Sequence, residues 1–170
     1  GKLKFENKHP FDSFIYGAIL VGDYYYSVDR SGDRSGDLLE IDPRSGGITS
    51  ILNISKEFSK YRENDPVGGR VLGLTDSVIY SFARWISRNN NETEKKIIRI
   101  DLNDETTKTI VKLDPGSGDF GLLLDGSLAF TQNNILHILD NNTGEEVSRL
   151  ELDRHISGWQ ETYSNQFIID

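Results

Sequence analysis

Acidic residues at regular spacing interrupt a glycine-rich stretch near the start of the chain. Asp29, Asp33 and Asp37 lie four residues apart in a tandem repeat of Arg-Ser-Gly-Asp. Three carboxylates on such a loop offer the oxygen ligands that Ca²⁺ prefers. The usual calcium loop, however, places its ligands at alternate positions and ends in a Glu, and Arg30 and Arg34 would offset the negative charge here. The stretch therefore indicates an exposed, self-paired loop, with calcium binding as the alternative.

Both tryptophans of the chain stand beside polar residues. Trp85 follows Arg84, and Trp159 precedes Gln160 and Glu161. Amphipathic aromatic residues are enriched at binding surfaces, although the same residue types also fill protein cores. We therefore favour packing of the two indoles, with contact between a partner and Trp85, Arg84 and Trp159 as the alternative.

The residue patterns of several enzyme classes are missing from the sequence. Without cysteine there is no disulfide, no thiolate metal site and no cysteine nucleophile. His9, His137 and His155 are far apart, and no Gly-x-Ser-x-Gly motif occurs. The glycine-rich stretch at residues 116–119 lacks the lysine of a phosphate-binding loop. We therefore expect no catalytic residues, no cofactor and no metal.

Composition and charge limit the class of protein further. Hydrophobic residues make up 36% of the chain and charged residues 27%, as in globular proteins that fold in water. The apolar runs at residues 17–21 and 121–124 are far shorter than the roughly 20 residues that cross a bilayer. The formal net charge of −8 opposes binding to nucleic acid. We thus predict a soluble, acidic protein that neither enters membranes nor binds nucleic acid, in either a cytoplasmic or an exported location.

A short unit recurs along the chain and predicts the elements that position these residues. A tight turn that leads into a β-prone run occurs four times. Three of these runs are followed by a second strand, which ends in an acidic residue and a polar turn. A further β-prone stretch follows each of those turns. With an innermost strand added, each unit has four strands. The predicted units of this single domain, residues 1–170, are 14–52, 70–113, 120–152 and a partial unit at 155–170, preceded by a lone strand at 2–6.

The connections between these strands differ in length. Asn133 and Asn134 suit the positive φ angles of a two-residue hairpin. The insertions at residues 29–37 and 88–96 are polar, so we expect both to be exposed loops. Residues 55–62 are the one predicted helix, with Ser55 as its cap and with Ile54 and Phe58 on one face.

Four short strands in each period of about 50 residues are typical of β-propeller blades. The alternative is a β-sandwich, but a sandwich does not predict the same turn chemistry in the same order. The fold class expected is therefore all-β and propeller-like, with three to four blades of four-stranded antiparallel sheet.

The turn Asp140-Asn141-Asn142-Thr143-Gly144-Glu145 resembles the Asp-x-x-Thr-Gly-Glu turn of quinoprotein-like (PQQ-like) propeller repeats, and residues 41–47 resemble it more loosely. The resemblance implies that the Asp side chain accepts hydrogen bonds from turn amides and that the Gly takes a positive φ. It does not carry over the redox activity, because the family's vicinal cysteines are absent. The Gly-His and Trp-Asp pairs of WD40-like repeats are missing as well.

Three blades and a part would leave strand edges open to pairing. Because the chain begins with Gly1 and contains no methionine, we expect a piece of a larger propeller, or self-association of copies through the open edges. The predicted function is a non-catalytic scaffold for a protein or carbohydrate partner, because the expected loops at residues 67–69 and 116–118 carry little convergent polar chemistry. The alternative is a fragment of a propeller enzyme whose active site is completed by missing blades or another subunit.

Overall fold

Three four-stranded antiparallel sheets make up the computed structural model, which describes residues 17–30, 35–62, 65–73, 75, 77–89, 92–114, 116–118 and 120–152. The first sheet contains β1 (Ile19–Val21), β2 (Tyr24–Val28), β3 (Asp37–Ile41) and β4 (Ile48–Asn53). The second contains β5 (Val67–Gly73), β6 (Val78–Ile86), β7 (Thr93–Asp101) and β8 (Thr106–Leu113). The third contains β9 (Phe120–Leu122), β10 (Leu128–Gln132), β11 (Ile135–Leu139) and β12 (Glu146–Glu151).

Within each sheet every strand pairs with the next strand in the chain, so each sheet is a simple meander. This arrangement confirms the predicted all-β, propeller-like fold class. The fourth predicted unit at 155–170 and the lone strand at 2–6 lie outside the described residues.

The turns between strands use the chemistry that the sequence indicates. Asn133 and Asn134 have φ angles of 50° and 62°, as a type I′ hairpin requires. In the next turn, Asp140 Oδ1 accepts hydrogen bonds from the amides of Asn142 (3.0 Å) and Thr143 (2.7 Å), while Gly144 has a φ of 76°. The turn that resembles quinoprotein-like repeats therefore has a structural role.

A β-bulge recurs between the third and fourth strands of all three sheets. The register shifts between Leu38 and Leu39, between Ile97 and Ile98, and between Ile138 and Leu139. A bulge bends its strand and increases the local twist. The three sheets thus share an irregularity as well as a strand order, which supports their origin as one repeated unit.

Two hydrophobic clusters join the sheets. One cluster lies between the first and second sheets and includes Val28, Leu38, Ile79 and Ile98. The other lies between the second and third sheets and includes Tyr80, Ile97, Leu128 and Phe130. The second sheet is therefore covered on both faces, and it fixes the positions of its two neighbours.

Two expectations about local structure are wrong. The predicted helix at 55–62 is a single 3₁₀ turn, Ile54–Glu57, capped by the Asn53 side chain, which accepts a 2.8 Å hydrogen bond from the Ser55 amide. One turn is enough to bury both Ile54 and Phe58, so nothing drives the helix further. The predicted loop at residues 67–69 is instead the first part of β5.

The loop predicted at residues 88–96 is also shorter in the structure. Its last four residues belong to β7, where the Lys96 side chain is only 3% exposed and pairs with Glu94 at 3.2 Å. A charged group can be buried when it is paired with a group of opposite charge. Because Lys96 has such a partner, this polar stretch forms a strand although its composition predicts a loop.

Candidate functional site

One end of the three sheets carries the connections that vary most in the sequence. The links between second and third strands, and the links from one sheet to the next, emerge at the same end because the strands alternate in direction. We call this end the loop face. It includes the segment after the 3₁₀ helix, residues 58–62, and the described residues of the β6–β7 connection, 87–89 and 92.

A pocket of about 500 Å³ opens on the loop face between these two segments. Its walls include Lys60, Tyr61, Arg62, Trp85, Asn89 and Glu92. The volume falls within the roughly 300–1,000 Å³ range of small-molecule sites. The lining combines aromatic rings with cationic, anionic and amide groups, so the pocket can both stack and hydrogen-bond a ligand.

The floor of the pocket is held by Asp65. Its Oδ2 accepts a 3.0 Å hydrogen bond from Trp85 Nε1 and a 3.1 Å bond from the Arg62 amide, and its Oδ1 accepts a 3.2 Å bond from the Arg88 amide. Burial raises the pKa of Asp65, but these hydrogen bonds more than offset it, so the pKa lies below its ordinary value. The ionised carboxylate thus ties both walls of the pocket to the indole.

The rim of the pocket is polar. Lys60 Nζ lies 3.0 Å from Glu92 Oε2 and links the two walls. Arg62 is exposed, whereas Tyr61 is partly buried and packs against the first hydrophobic cluster. A ligand at this rim would meet side chains that approach from two separate segments.

The predicted binding residues Trp85 and Arg84 do not form one surface. Trp85 is 2% exposed and belongs to the cluster between the first and second sheets, so its indole is packed, as the favoured interpretation expects, and does not lie on an open surface. Arg84 is exposed and, as its neighbour in β6, points to the opposite face of the sheet. Trp159 lies outside the described residues.

The structure does not support the alternative that the stretch from Asp29 to Asp37 binds calcium. Asp29 is 1% exposed, which also corrects the expectation that the whole stretch is an exposed loop. Asp37 accepts hydrogen bonds from Asn53 (2.6 Å) and Ser50 (3.0 Å), and Asp33 lies outside the described residues. Within the described part of the chain, no group of three or more His, Asp or Glu residues is arranged to hold a metal ion.

The sequence does not indicate Asp65 as a site residue, and it places residues 58–62 in a predicted helix rather than in the wall of a pocket. Asp65 lies in a polar stretch before a β-prone run, which indicates a connection but not what it contacts. The hydrogen bond from Trp85 to Asp65 spans 20 residues of sequence, and no local pattern predicts such a pair.

In the ranges that the structure covers, no helix has the length and apolar character needed to span a bilayer.

The chain matches no protein-family model and no curated protein. Two solved structures are similar to it at low sequence identity. A protein from Lactobacillus plantarum is 13% identical, with a TM-score of 0.46 over 82% of this chain and 55% of its own length. A structure described as the extracellular domain of a one-component system from B. thetaiotaomicron is 12% identical, with a TM-score of 0.42 over 95% of this chain and 25% of its own length.

Proposed function

We propose that this chain is a non-catalytic binding domain that receives a protein or carbohydrate partner in the loop-face pocket. The observation that carries the proposal is the pocket itself, whose walls come from two segments tied together by Asp65 and by the Lys60–Glu92 ion pair. Ligand sites need such pre-organisation, because ordering loose side chains on binding costs affinity.

The shape and the chemistry of the pocket support this role. Tyr61 supplies aromatic surface that is already held by packing against the first hydrophobic cluster, and the packed Trp85 indole forms the floor behind it. Arg62 and Asn89 are exposed at the rim, where they can donate hydrogen bonds to a carbonyl or hydroxyl group. A pocket that brings an aromatic side chain and several polar side chains together is the kind of site where proteins bind small ligands or the side chains of a partner.

We also propose that the chain is related to quinoprotein-like repeats and has kept their turn without their redox centre. The hydrogen bonds of Asp140 support this kinship, and Asp42 accepts the equivalent bond from the Arg44 amide at 2.8 Å. The net charge of −8 supports a partner other than nucleic acid.

The edge of β12 supports a third proposal, that the sheet array extends by pairing with further strands of a second copy. All six residues of β12 are exposed, including Val147 (60%) and Leu150 (57%). Light scattering should therefore give a mass above 19.2 kDa, and a double V147K/L150K variant should return the monomer mass. A wild-type monomer at all concentrations would contradict this proposal.

The pocket can be tested by ¹⁵N–¹H NMR titration with defined probes: cellohexaose, chitohexaose, xylohexaose and a set of short peptides. We expect at least one probe to shift the amide signals of Tyr61, Ser87 and Asn89. The variant R62A should weaken that binding about five- to tenfold, a loss typical of one charged contact.

The matched control is R44A, which removes an arginine that pairs with Asp23 at the other end of the sheets. It should bind as the wild type does. The proposal fails if all probes leave the pocket signals unshifted, or if R44A and R62A weaken binding equally.

A further inference from the structure

The last strand of the third sheet has an open edge. Within the described residues, β12 lies at the end of its sheet and pairs with β11 only. All six of its residues are exposed, and none of them belongs to either hydrophobic cluster, whereas β4 and β8 each place residues in a cluster. An exposed edge strand presents its N–H and C=O groups to any strand that can pair with it.

Backbone hydrogen bonds show which groups of β12 point outward. The Leu152 amide donates a 2.7 Å hydrogen bond to the Asn134 carbonyl, on the β11 side of the strand. Alternate residues of a strand direct their N–H and C=O groups to the same side, so Leu150 also bonds toward β11, where its register partner is Leu136. The N–H and C=O groups of Arg149 and Glu151 therefore point to the open edge.

A β-bulge limits the part of this edge that can pair regularly. Ser148 is the register partner of Ile138, but Glu146 is the partner of Leu139, so the register shifts between these two pairs. A bulge disrupts the ladder of hydrogen bonds where it occurs. Residues 148–152, which follow the bulge, are therefore the segment available to a partner strand.

This segment is self-complementary about one residue. Two identical antiparallel strands are related by a twofold axis, and because opposite side chains share a face of the sheet, the axis passes through one residue and its copy. An axis at Arg149 would set two guanidinium groups opposite each other, and an axis at Glu151 would do so with two carboxylates. An axis at Ser148 or at Leu152 would carry half of the pairing beyond the segment. Only an axis at Leu150 places opposite charges and apolar groups together.

We propose that β12 pairs in antiparallel orientation with β12 of a second copy of this chain, with Leu150 at the twofold axis. The inference rests on the proposed extension of the sheet array at this edge, and it adds the partner strand and the register. Arg149 and the partner's Glu151 exchange two backbone hydrogen bonds, and the symmetric pair exchanges two more. Leu150, which is 57% exposed in the single chain, is buried against its copy.

Sedimentation velocity of the full chain between 10 µM and 1 mM tests the pairing. Five residues from each copy bury less than the roughly 1,200 Å² of a standard interface, so we expect a weak dimer whose population rises over this range. R149E and E151R should each weaken dimerisation about tenfold, because each sets like charges opposite each other at two places. The double variant R149E/E151R restores opposite charges and should dimerise within about threefold of the wild type.

Two control variants change the net charge by the same amounts at a distance from β12. R44E and E105R alter exposed turns of the first and second sheets and should dimerise as the wild type does. Thermal melts at 10 µM, followed by circular dichroism, check that every variant is folded as a monomer.

Amide hydrogen exchange gives a second measurement, which needs no variant. The Arg149 and Glu151 amides should exchange several-fold more slowly at 1 mM than at 50 µM, whereas the Leu152 amide, which is already bonded to Asn134, should change much less. A wild type that is monomeric at 1 mM would overturn this inference together with the proposed extension of the array. A dimer that R149E and E151R leave intact, or that R149E/E151R fails to restore, would overturn the register and leave the proposed extension standing.

Discussion

The second and third sheets have the same strand order but differ in how they are buried. The strands of the second sheet are 7 to 9 residues long, and its inward residues reach full burial on both faces, with Ile98 in one cluster and Ile97 in the other. The strands of the third sheet are 3 to 6 residues long, and β12 is exposed along its whole length. A sheet between two neighbours loses the alternation of buried and exposed residues, so its position in the array decides its stability.

The largest expected effect comes from truncating a core residue of the second sheet. Ile98 is fully buried between the first and second sheets. We expect I98A to lower the free energy of unfolding by about 3 kcal/mol, because the variant loses apolar burial and leaves a cavity. Urea denaturation followed by circular dichroism measures this change.

The matched variant in the third sheet is L150A. Leu150 is 57% exposed in β12 of the single chain, so at a protein concentration where the chain is monomeric its truncation should cost less than about 0.5 kcal/mol. Equal losses for the two variants would show that the two sheets contribute alike, and the contrast drawn above would fail.

The seam between the second and third sheets depends on Gly144. A Cβ at this position would lie 2.5 Å from the Ile110 carbonyl oxygen of β8, and the φ of 76° disfavours any side chain. We expect G144A to cost about 2 kcal/mol, from backbone strain and the displaced neighbour. The same denaturation measurement applies, and an unchanged midpoint would mean that the turn does not hold the seam.

The seam between the first and second sheets should respond to pH. Burial raises the pKa of Glu57, but hydrogen bonds from Thr107 (2.5 Å) and Thr109 (2.7 Å) and the charge of Lys96 more than offset it, so the pKa lies below its ordinary value of 4.5. A lowered folded pKa means that this stabilisation is fully present above pH 4.5 and is lost as the pH falls through the folded pKa.

We therefore expect the urea midpoint of the wild type to fall more steeply from pH 6 to pH 3 than that of E57Q, which has no proton to gain at this position. In the seam between the second and third sheets, the Tyr80 hydroxyl donates a 2.8 Å hydrogen bond to the Asn141 carbonyl. Neither of these groups titrates between pH 3 and pH 6. Parallel pH curves for the two proteins would mean that Glu57 does not contribute to the pH dependence of stability.

The one variant expected to gain stability lies in the second sheet. Glu105 has a φ of 51° at the turn position where the other two sheets have Gly46 and Gly144. E105G should raise the free energy of unfolding by about 1 kcal/mol, because glycine adopts this conformation without steric cost. A loss of stability, seen as a lower urea midpoint, would mean that the Glu105 side chain has a contact worth more than the strain.

The repeated unit and its turns could be predicted because they depend on local chemistry. Asn133 and Asn134 form their hairpin with little help from the rest of the chain, and Asp140 bonds to amides only two and three residues away. Such features follow from residue type and neighbouring spacing, so one sequence is enough to place them.

The candidate site could be predicted only in part. Arg84 and Trp85 stand together in the sequence, but alternation along β6 separates them onto opposite faces of the second sheet. The charges of Glu94, Lys95 and Lys96 predict a loop at 93–96, whereas these residues belong to β7. The partners that allow Lys96 to be buried include the Glu57 carbonyl, which is 39 residues away.

The sequence by itself determined the all-β class, the four-strand unit and the turn types, because hydrophobic alternation and turn residues act over a few neighbours. Only the tertiary structure decided that Trp85 is a pocket floor, that Asp65 holds it, and that the side-chain stem of Arg30 packs against Gly68. Those contacts arise where separate sheets and their connections meet, and the free energy of burial at a seam depends on both surfaces at once.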